Sequence, residues 1–134
     1  MESCIFCQIV ARKQPSHIIK ETDDLIVFVS LEGHPLIVPK NHLTDIFDLD
    51  EKVAQNIMLE AVRVSKAVRN HTNCDGINLV QSNGLAAGQD VFHFHLHIKP
   101  RWAGDTVVLS WDTRTIKDNE RKILARDLSD ILNC

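Results

Sequence analysis

The most regular alternation of apolar and polar positions lies at residues 91–100, where Phe92, Phe94, Leu96 and Ile98 interleave with His93, His95 and His97. A two-residue period is that of an extended strand, whose successive side chains point to opposite faces. The run therefore predicts a strand with one apolar face and one imidazole face. Shorter apolar runs at 16–21, 25–29, 36–38 and 77–81 predict four more strands. Turn residues separate them: Thr22, Asp23 and Asp24, then Gly33, then Asp75 and Gly76. Val53, Ile57, Ala61, Val64 and Val68 recur at helical spacing and predict a core-packing helix over 50–70, with Asp48 and Glu51 at the spacing of a capping box. His71 follows its end as a favourable charge at a helix C-terminus. Pro15 stops any helix begun at Ile9, and 107–109 reads as extended. Ile123, Leu124, Leu128 and Ile131 give 118–132 the spacing of a closing helix. Antiparallel strands with short connections and two main helices make one α+β domain over 1–134, with neither repeat nor linker.

Composition narrows the functional classes. The chain has 134 residues, 44% of them hydrophobic and 25% charged, with a formal net charge of -3. That balance lacks the basic footprint of a duplex nucleic-acid binder. Nowhere do about 18 apolar residues run together, so no membrane partner is expected. Mixed charge on the polar side of the 50–70 helix also argues against a membrane-surface role. The four cysteines, Cys4, Cys7, Cys74 and Cys134, lack the dense spacing of a disulfide framework, which fits a reducing compartment, most simply the cytoplasm.

Candidate chemistry concentrates at the histidines. On a strand rising about 3.3 Å per residue, neighbours in the triplet lie roughly 6–7 Å apart, so an unbent strand cannot bring all three to one metal. A division of labour follows, since imidazole serves as nucleophile, proton donor or ligand. Cys4 and Cys7 form half of a tetrahedral zinc site needing two further ligands, and His42 is a candidate third. No thioredoxin-like strand and helix surround the pair to support a redox role. The small-residue loop 82–89 can bring backbone amides close to an anion just before the histidine run.

Four features together resemble the histidine triad (HIT) superfamily of nucleotide hydrolases and transferases: Cys4-Ile5-Phe6-Cys7, the segment from Gly33-His34 to His42, Gly88-Gln89, and His93-His95-His97. The likeness spans 3–104 and leaves 105–134 as a C-terminal extension. It implies a five-stranded antiparallel sheet with two main helices, joined across a homodimer. It also implies attack on the α-phosphate of a purine nucleotide, in a phosphoramidate or a dinucleoside polyphosphate, through a nucleotidyl-histidine. His95 is then the nucleophile, His97 holds phosphate oxygens and helps protonate the leaving group, and His34 orients His95. Gln89, Ser82 and Asn83 fall at phosphate-binding positions, and Ile5, Phe6, Ile9, Phe28, Ser30 and Leu31 at nucleoside-binding ones. Cys4, Cys7, His42 and His93 match the ligands of a structural Zn2+, with no organic cofactor implied. Ser30 replaces a common acidic residue that binds ribose hydroxyls, where Glu32 is a substitute. Asp90 replaces a serine or threonine near the phosphate, and strand parity places its side chain opposite the histidines where the strand already runs at that position. Two other classes compete with the hydrolase: a nucleotide-binding or scaffold protein of the same fold with little turnover, and a metal-dependent hydrolase using two of the strand histidines.

Overall fold

The computed structural model describes residues 3–134. A short helix α1 (Ile5–Val10) precedes β1 (Ile18–Glu21), β2 (Leu25–Val29) and β3 (Pro35–Pro39). The long helix α2 (Glu51–Thr72) leads to β4 (Gly76–Val80) and β5 (Leu96–Arg101), and α3 (Asp118–Leu132) ends the chain. The five strands form one antiparallel sheet in the order β1-β2-β3-β5-β4.

Burial on both sides explains why β2 and β3 are nearly continuous apolar runs rather than alternating ones. Leu25, Val27 and Ile37 join Phe94, Leu96 and Ile98 against Ile57, Ala61 and Val64 of α2. Ile26, Phe28, Leu36 and Val38 turn the other way and meet Phe6 and Ile9 of α1. Each such side chain, fully buried, contributes on the order of 1.5–3 kcal/mol. The α1 face is the one that carries the histidines.

Several boundaries differ from the sequence expectation for identifiable reasons. Helix α2 begins after Asp50, whose carboxylate accepts from the Val53 amide at 2.8 Å, so Asp50 caps the helix. Asp48 instead accepts from the Thr44 amide, and no capping box with Glu51 forms. At the other end α2 runs to Thr72 and stops where Asn73 takes a left-handed conformation, φ 52°, which places His71 inside the last turn. Residues 107–109 are not a strand. Helix α3 forms where its periodicity predicts, but it does not close the core. It buries no residue, and Ile123, Leu124, Leu128 and Ile131 stay exposed.

The largest departure is at the histidine run. Strand β5 begins only at Leu96; residues 91–95 are irregular. The alternation of faces persists from Phe94 to Ile98, because Phe94, Leu96 and Ile98 remain in the α2-side core. Upstream it breaks: Phe92, expected on the apolar face, is exposed. The Phe94 amide donates to the Leu43 carbonyl at 2.6 Å, a tie outside the sheet ladder that draws this segment toward the chain beyond β3.

Candidate functional site

The bend at 91–95 sends neighbouring histidines into two adjoining clusters. His97 lies against His95 on one side and His34 on the other, and His34 enters from the tight turn between β2 and β3. In that turn the Gly33 amide donates to the Ser30 carbonyl at 3.0 Å, and the Ser30 hydroxyl accepts from the His34 amide at 3.2 Å. His93 faces Cys4, Cys7 and His42. The ring of Phe6 stands edge-on to both groups, its centroid 5.8 Å from His93 and 5.0 Å from His95.

Backbone carbonyls decide which ring nitrogen of each histidine is free. A carbonyl oxygen only accepts, so the nitrogen facing it carries the proton. In His95, Nδ1–H donates to the carbonyl of His93 at 2.8 Å, which leaves Nε2 with its lone pair. In His93 the roles reverse: Nε2–H donates to the carbonyl of Pro39 at 2.8 Å, and Nδ1 is the bare nitrogen. Adjacent histidines of one run thus hold opposite tautomers.

His34 Nε2 and His97 Nδ1 lie 2.8 Å apart, so one proton sits between them. The rings of His95 and His97 are 4.9 Å apart between centroids. Burial, reinforced by the neighbouring His95 and His34, pushes His97 down to about 4. Burial, with Lys99 nearby, also lowers His34. Both are therefore neutral imidazoles at pH 7, able to pass hydrogen bonds along a line without carrying charge.

The second cluster brings Cys4, Cys7, His42 and His93 together, with one ligand atom from each lying within 4.8 Å of the others. Sγ of Cys4 is 3.4 Å from His93 Nδ1, and Sγ of Cys7 is 3.3 Å from His42 Nδ1 and 3.5 Å from His93 Nδ1. A tetrahedral zinc with Zn–S of about 2.3 Å and Zn–N of about 2.0 Å needs S···N edges of about 3.5 Å. These separations fit, and the Pro39 carbonyl fixes His93 in the tautomer a metal requires. Burial raises the Cys7 thiol, and the adjacent Cys4 adds to it, so Cys7 favours the protonated form unless a cation compensates.

The remaining candidates separate into groups. Gln89 is buried; its Oε1 accepts from the Gly84 amide at 2.7 Å, and its Nε2 donates to the carbonyls of Thr44 at 2.7 Å and Val91 at 3.1 Å. The side chain thus braces the 82–89 loop. Gly84 and Gly88 bound that loop at φ 89° and 85°, where any side chain would be strained. Asn83 ties the loop to the turn Ile46–Asp48: its Oδ1 accepts from the Ile46 amide at 2.8 Å. Ser82 is half-buried, and its carbonyl accepts from Gln81 Nε2. Phe6, Ile9 and Phe28 are buried among core residues, whereas Ile5 and Leu31 present apolar surface to solvent.

Two charged neighbours were not legible from spacing. Asp90 does not point away from the histidines: its Oδ1 lies 3.5 Å from His95 Nε2. The parity argument fails because Asp90 precedes the irregular segment rather than a strand. Glu32 lies 4.0 Å from Lys99 on β5, which occupies its carboxylate with an ion pair.

Comparison with known proteins agrees with this geometry. The HIT domain family matches residues 11–104, a span that holds every histidine of both clusters and begins after the Cys4 and Cys7 pair. "Protein hit" of Bacillus subtilis is 33% identical over 117 residues, covering 84% of this chain and 81% of the relative. Adenylylsulfatase HINT3 of Arabidopsis thaliana is 30% identical over 135 residues, covering 98% of this chain and 66% of the relative. The crystal structure of SMU.412c from Streptococcus mutans superposes with a TM-score of 0.91 at 30% identity, covering 98% of this chain and 87% of that one. A zinc-bound histidine triad family protein from Mycobacterium smegmatis superposes with a TM-score of 0.75 at 29% identity, covering 98% and 97%. On sequence and fold alike, the chain belongs to the HIT family.

Proposed function

We propose that this protein is a nucleotidyl hydrolase that opens a nucleoside phosphoramidate or dinucleoside polyphosphate at the α-phosphate of a purine nucleotide. The carrying observation is the hydrogen bond from His95 Nδ1–H to the His93 carbonyl, which presents Nε2 as an unprotonated nucleophile. Nε2 attacks phosphorus, the bond to the leaving group breaks with its electron pair, and a nucleotidyl-histidine results. Water then displaces Nε2 from phosphorus, giving the nucleoside monophosphate. With His34 Nε2–H donating to His97 Nδ1, the neutral His97 keeps its proton on Nε2, where it serves the phosphoryl oxygens and the departing group. Backbone amides of the 82–89 loop, braced by Gln89, supply further donors. Ile5 and Leu31 offer exposed apolar surface for the base beside the buried Phe6, Ile9 and Phe28, with Ser30, Ser82 and Asn83 as polar contacts to the nucleotide in this reading. The adenylylsulfatase relative supports the reaction class.

Cys4, Cys7, His42 and His93 hold a structural zinc in this reading, supported by the zinc-bound relative. When bound, the ion supplies a four-ligand cross-link between the N-terminal helix and the sheet. Two copies pair as a homodimer; the unpaired outer side of β4 and the exposed apolar face of α3 support that assembly. Among the described residues no helix is long and apolar enough to cross a membrane.

The test is to acid-quench the protein with an adenosine phosphoramidate and search by mass spectrometry for a nucleotidyl adduct on His95. The adduct should be present in the wild type and absent in His95→Ala. The carboxylate of Asp90 beside Nε2 favours the second reading, a nucleotide-binding protein of the same fold with little turnover. Nucleotide binding without adduct or product would select that reading.

A further inference from the structure

Nε2 of His95 already has a neighbour where the substrate must arrive. Asp90 Oδ1 lies 3.5 Å away, and the same oxygen accepts from the Val91 amide at 2.9 Å. That amide aims the carboxylate although its side chain is 81% exposed. A phosphorus atom poised for in-line attack comes within about 3–3.5 Å of the nucleophile. Any nucleotide that reacts here therefore brings its phosphate close to the Asp90 carboxylate, with the leaving group beyond phosphorus but still within reach of that charge.

Farther from Nε2 the field is mixed, and at His34 and His97 Lys99 acts more strongly than Glu32 or Asp90. The charged side chains acting on His34 and His97 are Lys99, Glu32 and Asp90. Lys99 is the one cation of the three, and Glu32 lies 4.0 Å from it. A polyphosphate chain leaving from this site meets a carboxylate at the nucleophile and a lysine already opposed by another. A leaving group bearing an ammonium meets an opposite charge.

We propose that Asp90 is a specificity-determining residue of the histidine site, selecting nucleotides whose leaving group is cationic over those whose leaving group is anionic. This rests on the nucleotidyl-transfer reading above. In the selected reaction the P–N bond of the phosphoramidate breaks, and its electron pair stays on the amine nitrogen, which takes up a proton from solvent that the later attack of water on phosphorus returns. The P–Nε2 bond forms and is later cleaved by water, so phosphoramidate and water give nucleoside monophosphate and amine. Asp90 makes none of these bonds and acts through charge alone. At about 7 Å in a solvent-exposed mouth, one unit charge changes the rate about three- to tenfold.

The experiment compares kcat/KM for two adenosine 5′-phosphoramidates with alkyl chains of equal length, one ending in an ammonium and one in a carboxylate. The wild-type chain should favour the ammonium substrate by about tenfold or more at low ionic strength. Asp90→Asn should erase most of that preference, Asp90→Lys should invert it, and added KCl should shrink the wild-type ratio. A merely structural role would lower both substrates alike and leave their ratio unchanged. Equal ratios in wild type and Asp90→Asn, with both substrates turned over, overturn the role of Asp90 and leave the hydrolase intact. Failure of the wild type to turn over either substrate overturns the nucleotidyl-transfer reading and the selector with it.

Discussion

His93 and His95 stand two residues apart in one run, yet the fold prepares them for opposite chemistry. His93 gives its Nε2 proton to Pro39 and turns Nδ1 toward two sulfurs; His95 gives its Nδ1 proton to His93 and keeps Nε2 free. Nothing in the imidazoles themselves distinguishes them. The difference is which ring nitrogen a backbone carbonyl reaches, and it separates a cluster with metal-ligand spacing from one whose bare nitrogen faces a carboxylate.

The strongest way to break the comparison is to remove the nucleophile. His95→Ala should lower kcat/KM for an adenosine phosphoramidate by about a thousandfold or more while the melting temperature changes little. A variant that keeps comparable activity would show that the free Nε2 is not the attacking atom. The complementary change is Cys4→Ser or Cys7→Ser, expected to abolish a one-per-chain zinc content measured by atomic spectroscopy. The melting temperature should fall by about 10 °C or more, since ligand binding to the folded state is folding free energy. Turnover at low temperature should survive in proportion to the folded fraction, as the proposed structural role of the zinc requires.

His97→Asn sharpens the line between positioning and chemistry. Turnover should drop by about a hundredfold through loss of the donor at the leaving group. Stability should respond to pH in a defined direction. Burial, with His95 and His34 nearby, holds the folded-state His97 at about 4, below the ordinary 6.5, so the unfolded chain takes up a proton first as the solution is acidified. The stability present above about pH 6.5 is then lost as pH falls toward 4. Melting curves for wild type and variant across that window should show a shallower acid loss in the variant. The smallest effect belongs to Asp50→Ala, outside both clusters: loss of the α2 cap should cost about 1 kcal/mol by chemical denaturation, with kcat unchanged.

The elements show how far periodicity reached. Strand β2 lies at 25–29 as its apolar run predicts, and α2 extends only two residues past its expected end, because both have a buried partner along their length. Helix α3 has equally good periodicity and buries nothing, since amphipathic spacing states that a face is apolar without saying what covers it. At the site, residue type and spacing singled out Cys4, Cys7 and the run His93, His95 and His97, with His42 as a candidate third ligand, whereas the place of His34 and the grouping of His93 with the cysteines came from the family resemblance. Gln89 was placed at the phosphate by the family resemblance, whereas its amide is engaged with the backbone of Gly84, Thr44 and Val91. The side taken by Asp90 depended on how far the strand reaches upstream; residues 91–95 are not strand, so parity does not govern it and its carboxylate lies beside His95.

The sequence by itself determined the strand and helix periods, the donor types and the order in which they come along the chain, because those depend on local spacing and side-chain chemistry. Tertiary structure alone decided which nitrogen of each histidine is bare, which histidines share a proton, and which carboxylate stands beside His95 Nε2. The physical reason is that hydrogen-bond partners far apart in the chain set these features: Pro39 holds His93, Leu43 draws Phe94 out of the sheet ladder, and His34 meets His97. No period along the chain records a carbonyl 54 residues away.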